Sequence, residues 1–188
     1  MPRVVVFIDN SNVYRRLAEL CATNPNVWCK QYDPKYLAEK LAGQRDLVKV
    51  MYYCAPPPQA LFSRDPARYA AQNSYYEKIK ALDKVEVKFA TLTTNDGQLF
   101  EKNLDTQLTA DVIIMAATNQ YDQAIIVSND GDFVSAVDGA KTQGKKIEVA
   151  HFKRSISMDL RRSADLTRTL RPAHFRSING SQSQQRIV

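Results

Sequence analysis

The sequence has few of the residues that build disulfide, zinc and thiol sites. Its 188 residues include three cysteines and two histidines. The cysteines, Cys21, Cys29 and Cys54, are odd in number and lack metal-ligand spacing, which favours reduced thiols of a cytosolic protein over a disulfide framework. His151 and His174 have no cysteine or histidine partner at ligand spacing, which argues against a zinc site.

Signatures of several common enzyme classes are also missing. No serine lies in the glycine-flanked turn that many hydrolases use for their nucleophile. No glycine-rich phosphate loop is present, which argues against dinucleotide binding and P-loop nucleotide hydrolysis. No apolar run approaches the length of about 18 residues that a membrane span needs, and the start of the chain lacks the apolar segment of a signal peptide. We therefore expect a cytoplasmic protein with no membrane partner.

The charge is distributed unevenly along the chain. Residues 153–188 contain eight Lys and Arg against two Asp, so this segment accounts for the whole formal net charge of +6. A neutral body with a basic C-terminal segment suggests an anionic partner such as nucleic acid. A solvated helix face followed by a loose tail would explain the same charge run equally well.

Strand and helix patterns alternate through most of the sequence. Strands are expected at 4–8, 47–54, 85–89, 123–127 and 146–150. Helices are expected after residue 10, at 33–43, 65–82, 105–117, 133–141 and 157–162, with a hairpin or flap at 91–102 around Asn95-Asp96-Gly97. This alternation predicts an α/β fold with a mainly parallel sheet covered on both faces. We expect one domain over residues 1–170 and a polar, basic and flexible tail over residues 171–188.

Aspartates follow the ends of the first and fourth predicted strands. Asp9 ends the first strand, Asp130 and Asp132 follow the fourth, and Asp105 starts the helix that leads into the fourth. Ligand sites of parallel α/β sheets lie beyond the carboxyl ends of the strands. If the first and fourth strands are neighbours, these four carboxylates converge. Asp111 lies on a different stripe of its helix and ranks below them.

Converging carboxylates favour metal chemistry. Four such groups in a small space repel one another unless some are protonated or a cation holds them together. Mg²⁺ prefers oxygen ligands and keeps coordination positions open for water and phosphate oxygens. Such an ion activates a bound water and stabilises the charge that develops on a phosphodiester during hydrolysis. Any one of these aspartates alone is better explained as a helix cap, and only their number and placement favour a nuclease site.

Three segments around these aspartates form an ordered set. They are Val-Val-Val-Phe-Ile-Asp-Asn-Ser-Asn-Val at 4–13, Lys-Asn-Leu-Asp at 102–105, and Ile-Ile-Val-Ser-Asn-Asp-Gly-Asp-Phe at 125–133. In this order, and with Asp111, residues 144–149 and a late Ala164-Asp165, they resemble the NYN domain family, the LabA-like branch of the PIN-like nucleases. The resemblance covers roughly residues 3–170. Asn129 is a departure, since many members have a small residue such as glycine there.

The resemblance implies a Rossmann-like α/β/α sandwich with an endoribonuclease site that depends on Mg²⁺ or Mn²⁺. It implies that Asp9, Asp105, Asp130 and Asp132 are both catalytic residues and metal ligands. Asn12 would be the catalytic polar group that orients metal-bound water or substrate. RNA is the favoured partner, and self-association into a homo-oligomer is possible.

Other functions stay open at the level of sequence. A non-catalytic RNA- or protein-binding regulatory module could keep the fold, although a pure binder has no reason to tolerate such carboxylate repulsion. Asp9-Asn10-Ser11 resembles the start of a metal-dependent adhesion site, but Val13 replaces the last serine of that motif. A phosphatase with an aspartate nucleophile usually has a second aspartate two residues later, where this chain has Ser11.

Two tyrosine pairs offer either stacking surfaces for nucleic-acid bases or ordinary packing. They are Tyr52-Tyr53 on a predicted strand and Tyr75-Tyr76 on a predicted helix. Half-buried packing is the commoner role of such pairs, and we expect it here.

Overall fold

A single parallel sheet organises the fold. A computed structural model describes residues 1–23, 31–95, 98–153 and 156–179. The strands of the main sheet are β1 (Arg3–Asp9), β2 (Asp46–Cys54), β3 (Val85–Phe89), β6 (Gln123–Val127), β7 (Lys146–His151) and β8 (Leu166–Thr169), and the remaining strands are β4 (Thr91–Asn95) and β5 (Gln98–Lys102). The main sheet has the order β3-β2-β1-β6-β7-β8, and every neighbouring pair is parallel.

Helices cover both faces of this sheet. They are α1 (Asn10–Thr23), α2 (Pro34–Ala42), α3 (Gln59–Arg64), α4 (Pro66–Lys80), α5 (Leu104–Ala117), α6 (Val134–Thr142) and α7 (Met158–Ser163), with short 3-10 turns at Gly131–Phe133 and Pro172–His174. The predicted α/β class and mainly parallel, Rossmann-like sandwich are confirmed. Within the described part of the chain, no helix combines the length and apolarity needed to cross a membrane.

The continuous apolar run of β1 explains why the sheet lies between two cores. Alternate side chains of a strand point to opposite faces of the sheet. Val4, Val6 and Ile8 pack with residues of α1, α2 and α4, whereas Val5 and Phe7 pack with residues of α5, α6 and α7. All five side chains are fully buried. A strand whose side chains are all apolar can bury both of its faces only in a sheet that is covered on both sides, as the sequence pattern predicts.

Several element boundaries differ from the sequence prediction. The expected helix at 65–82 corresponds to α4, which begins after Asp65, whose side chain accepts a hydrogen bond from the Arg68 N–H (3.0 Å). The short helix α3 that precedes it was not predicted. The expected helix at 133–141 begins as a 3-10 turn. Strand β8 was not predicted, because it has only four residues and only partial burial. The arms of the predicted hairpin pair antiparallel as β4 and β5, and its turn at 96–97 lies outside the described residues.

The first nine residues of the predicted tail pack on the domain. Phe175 is buried, and its ring stacks on Phe152 with 5.8 Å between the ring centroids. The Arg176 guanidinium pairs with Asp33 at 2.7 Å, and Ser177 forms a β-bridge with Tyr32. The segment 171–179 therefore contributes to the core beside α2. Residues 180–188 lie outside the described residues, and the division into domain and flexible tail stays a prediction.

Much of the basic charge near the C-terminus is paired within the fold. Arg168 donates to Glu148 at 2.6 Å, Arg176 donates to Asp33, and Arg162 lies 3.9 Å from Asp159. The first two contacts join different elements, whereas the third lies within α7. The formal charge of the segment therefore overstates the charge that is available to an anionic partner.

Candidate functional site

The strand order reverses direction beside β1. The chain runs from β1 to β2 and β3 on one side, and from β6 to β7 and β8 on the other. Ile8 at the end of β1 is aligned with Val127 at the end of β6. The first and fourth predicted strands are therefore neighbours, and their aspartate-containing ends form the crevice where ligands of open α/β sheets bind.

A cleft of about 240 Å³ opens at this crevice. Four of the five predicted catalytic residues line it, namely Asp9, Asn12, Asp105 and Asp130. The described residues that complete its wall are Ser11, Arg15, Asn103 and Leu104. Asp132, the fifth predicted residue, is exposed and is absent from the described lining.

Asp9 is the buried centre of the cleft. Its side chain is only 4% exposed, and its two oxygens accept hydrogen bonds from the Asn12 N–H (3.1 Å) and the Ser128 hydroxyl (2.8 Å). The bond from Asn12 makes Asp9 the cap of α1, which begins at Asn10. Burial raises the pKa of Asp9 from its usual 3.8 to about 6, since the two hydrogen bonds only partly offset it and the charges of Asp105 and Asp130 raise it further.

Asn12 links the first strand end to the second. Its side-chain oxygen accepts a hydrogen bond from the Asn129 N–H at 3.3 Å. The Asn129 amide in turn donates to the Phe152 carbonyl (3.0 Å) and accepts from the Phe152 N–H (3.1 Å). The residue that departs from the family pattern is thus a buried clamp between the ends of β6 and β7. A glycine could make neither side-chain bond.

The turn that follows β6 holds Asp130. Its N–H donates to the Ser128 hydroxyl oxygen at 3.1 Å, and its carboxylate accepts from the Asp132 N–H at 3.2 Å. Gly131 packs against α7 so closely that a Cβ atom there would lie 2.7 Å from the Ser157 hydroxyl oxygen. The tight turn directs Asp130 to the cleft and leaves Asp132 exposed.

Asp105 approaches the cleft from a different element. It lies in the first turn of α5, after Asn103, whose φ of 70° is left-handed. Asn103 and Leu104 join Asp105 in the cleft wall. Asparagine tolerates the left-handed conformation better than most residues, which lets the chain turn sharply from β5 into α5.

Asp111 has a partner outside the cleft. Its carboxylate accepts a hydrogen bond of 2.8 Å from the Tyr53 hydroxyl. Burial together with the Asp111 charge raises the pKa of Tyr53 above its usual range. Asp111 is not among the described residues of the cleft wall, in line with its lower rank in the sequence prediction.

Arg15 and Ser128 are site residues that sequence reasoning missed. Arg15 is exposed and brings a positive charge to the acidic cleft. Its position three residues after Asn12 on a helix is the sequence signal that could have found it. Ser128 has no such signal, since its role depends on the pairing of β6 with β1.

The donor set suits a hard divalent cation only in part. Asp9, Asp105 and Asp130 share one cleft, and the negative charges of Asp105 and Asp130 raise the pKa of Asp9. A bound cation would relieve this repulsion. Among the described residues, however, no group of three or more His, Cys, Asp or Glu is close enough to hold a metal ion together. Coordination of one ion by all three carboxylates therefore requires their side chains to move closer together.

Comparisons with known proteins agree with this architecture. The family model of the NYN domain matches residues 3–170. The crystal structure of a protein of unknown function from Vibrio parahaemolyticus RIMD 2210633 is similar, with a TM-score of 0.67 and 22% identity over 90% of this chain and 93% of that chain. At this identity the likeness concerns the fold alone. A search of curated proteins finds no match.

Proposed function

The chain belongs to the NYN domain family, a nuclease-like family of the PIN-like superfamily, and on that premise we propose that it is a metal-dependent endoribonuclease. The proposed reaction is hydrolysis of RNA phosphodiester bonds in the cleft between the ends of β1 and β6. The proposed compartment is the cytoplasm, where the buried thiol of Cys54 would stay reduced.

The single observation that supports this proposal most strongly is the set of three carboxylates around one cleft at the switch point of the sheet. Asp9 is buried there with a raised pKa, although a neutral residue could cap α1 without that cost. Groups whose charged form is disfavoured by the fold cluster at functional sites. Three carboxylates around one cleft, one of them buried, suit a cation-binding function that capping alone does not require.

Each residue has a role in the proposed reaction. Asp9, Asp105 and Asp130 would hold Mg²⁺ or Mn²⁺. When bound, such ions supply a water of lowered pKa and stabilise the charge on the phosphodiester. Arg15 attracts the phosphate backbone to the rim of the cleft. Asn12 braces the end of β6 through its bond to Asn129, which positions Asp130.

A non-catalytic RNA- or protein-binding module is the second candidate. The observation in its favour is that no group of three potential ligands among the described residues is close enough to hold one ion. Such a module would bind without cutting, and self-association would be compatible with either function.

The test is cleavage of a labelled single-stranded RNA and its DNA counterpart with Mg²⁺, with Mn²⁺ and with EDTA. We expect the native chain to cut RNA only when metal is present and Asp130→Asn to lose this activity. The asparagine oxygen can still accept the Asp132 N–H bond, so the turn should keep its shape. Thermal unfolding of both proteins checks that the fold is retained.

Two further variants make the result specific. Asp138→Asn removes an exposed carboxylate of α6 that is not in the described cleft wall, and it should leave cleavage unchanged. Asp132→Asn tests the predicted metal ligand that is exposed. It should lose less cleavage activity than Asp130→Asn. RNA binding without any cutting, unaffected by Asp130→Asn, would favour the binding module.

A further inference from the structure

A second and larger hollow adjoins the acidic cleft. It has a volume of about 830 Å³ and is here called the tyrosine groove. Its wall includes Asn10, Tyr14, Arg68, Gln72, Tyr75 and Tyr76. Ser11 lines both the groove and the acidic cleft, so the two spaces meet at this residue. The volume lies within the range of about 300–1,000 Å³ that is typical of small-molecule sites.

The first turns of α1 separate the two spaces. Residues four positions apart on a helix lie on one stripe, and successive residues differ by about 100°. Asn10 and Tyr14 form the stripe that faces the tyrosine groove. Ser11 and Arg15 form the next stripe, which faces the acidic cleft. A polymer that crosses Ser11 would therefore contact both spaces with neighbouring units.

The ring surfaces of the groove are held in place. The hydroxyls of Tyr75 and Tyr76 each donate a hydrogen bond of 2.8 Å, to the carbonyls of Tyr32 and Ala55. The two rings lie 5.7 Å apart between centroids and are tilted by 36°. Because their hydroxyls are engaged by the backbone, these residues present fixed ring surface to the groove. Tyr14, which is 55% exposed, adds a third ring from α1.

The chemistry of the groove contrasts with that of the cleft beside it. Of the described residues that line the groove, none is acidic, and Arg68 is the only charged one. The polar groups are mainly side-chain amides, such as those of Asn10 and Gln72. Flat aromatic surface, amides that both donate and accept, and one guanidinium suit a nucleobase with its phosphate. They do not suit a cation or an aliphatic chain with no polar edge.

We propose that the tyrosine groove binds the unpaired base of a nucleotide next to the phosphate held in the acidic cleft. The proposal rests on the proposed nucleic-acid function and adds a substrate requirement to it. A base within a duplex has both faces covered by its neighbours and cannot stack on protein rings. The groove therefore selects single-stranded segments, whereas the cleft acts on the backbone.

The test is binding of a short fluorescent single-stranded RNA in EDTA, where no metal-dependent cleavage occurs. Loss of one stacked base is expected to weaken binding about ten-fold. We expect Tyr14→Ala to show this loss and Tyr14→Phe, which keeps the ring, to bind within about two-fold of the native chain. Tyr14 is exposed, so its replacement should not disturb folding.

Two controls separate base stacking from other effects. Phe62→Ala removes another exposed ring, 52% exposed and not among the described residues of the groove wall, and it should leave affinity unchanged. An RNA of the same length without bases should bind the native chain weakly and be indifferent to Tyr14→Ala. Equal affinity of Tyr14→Ala and the native chain, equal affinity for the RNA without bases, or no binding in EDTA would each overturn the proposal.

The proposed nuclease activity can fail or succeed independently. If binding depends on Tyr14 and on the bases but no RNA is cut with Mg²⁺ or Mn²⁺, the result supports base binding in the groove and contradicts the proposed nuclease activity. If RNA is cut but Tyr14→Ala changes neither the affinity for RNA nor its cleavage, the result supports the proposed nuclease activity and overturns base binding in the groove.

Discussion

At the scale of single residues, Asp9 has two properties that a helix cap does not need, deep burial and a raised pKa. Its carboxylate caps α1 through the Asn12 N–H, yet the fold raises its pKa to about 6. A raised pKa means that the folded state binds the proton of this carboxyl group more tightly than the unfolded state does. Its contribution to stability therefore falls as the pH rises from about 4 to about 6, and the ionised group destabilises the fold at higher pH.

Asp9→Asn should accordingly stabilise the metal-free protein near pH 8. The expected gain in the free energy of unfolding is about 1–3 kcal/mol, since one pKa unit corresponds to about 1.4 kcal/mol. Urea denaturation in EDTA near pH 8 and near pH 4 measures it, and the gain should nearly vanish at the lower pH. Added Mg²⁺ should stabilise the native chain and not the variant. If the variant is destabilised equally at both pH values, burial of the ionised Asp9 carboxylate does not cost the stability that we infer.

At the scale of elements, a buried carboxylate connects three of them. Glu148 of β7 is fully buried and accepts hydrogen bonds from Arg45, before β2, at 3.0 Å and from Arg168 of β8 at 2.6 Å. The Arg45 guanidinium also donates to the carbonyls of Leu41 and Ala42 at the end of α2. These contacts hold the α2–β2 turn and the unpredicted edge strand β8 against β7.

Glu148→Gln should therefore destabilise the fold by about 3 kcal/mol, because removal of one partner breaks a buried ionic network. Glu86→Gln is the matched control, since Glu86 also bonds two cations, Lys49 and Lys88, from a strand. Its side chain is 38% exposed, and exposed pairs contribute less than about 1 kcal/mol. Urea denaturation of the two variants measures the difference. Equal losses would show that burial is not the deciding factor.

At the scale of the whole molecule, the boundary of the domain is open to a direct test. Residues 171–179 dock beside α2, although the predicted domain ends at residue 170. A chain that ends at residue 170 should lose about 3–5 kcal/mol from the absence of Phe175 alone. A chain that ends at residue 179 keeps every described contact of the segment and is the control, expected to unfold close to the full-length protein. Thermal denaturation compares the three chains.

The outcome assigns the boundary. Equal stability of the two shortened chains would show that the contacts of Phe175 and Arg176 add nothing and that the tail begins at residue 171, as predicted from the sequence. Loss of stability in the shorter chain alone would extend the folded domain to residue 179.

Local sequence patterns predicted the architecture and the edge of the sheet where the candidate cleft lies. Strands of the parallel sheet are marked by continuous apolar runs, because only a strand covered on both faces can bury every side chain. The aspartates at the ends of β1 and β6 were expected to converge if these two strands were neighbours, since strand ends at a switch point lie side by side. These inferences depend on local patterns and on a topology that has few alternatives.

Tertiary structure alone decided which side chains face the site. Asp130 and Asp132 are equivalent in sequence, and the tight turn against Ser157 places Asp130 in the cleft wall and leaves Asp132 exposed. No local sequence pattern distinguishes Tyr52 from Tyr14. Tyr52 is nevertheless fully buried, whereas Tyr14 is exposed and lines the tyrosine groove. The physical reason is that burial depends on contacts between residues distant in the chain, which no local pattern records.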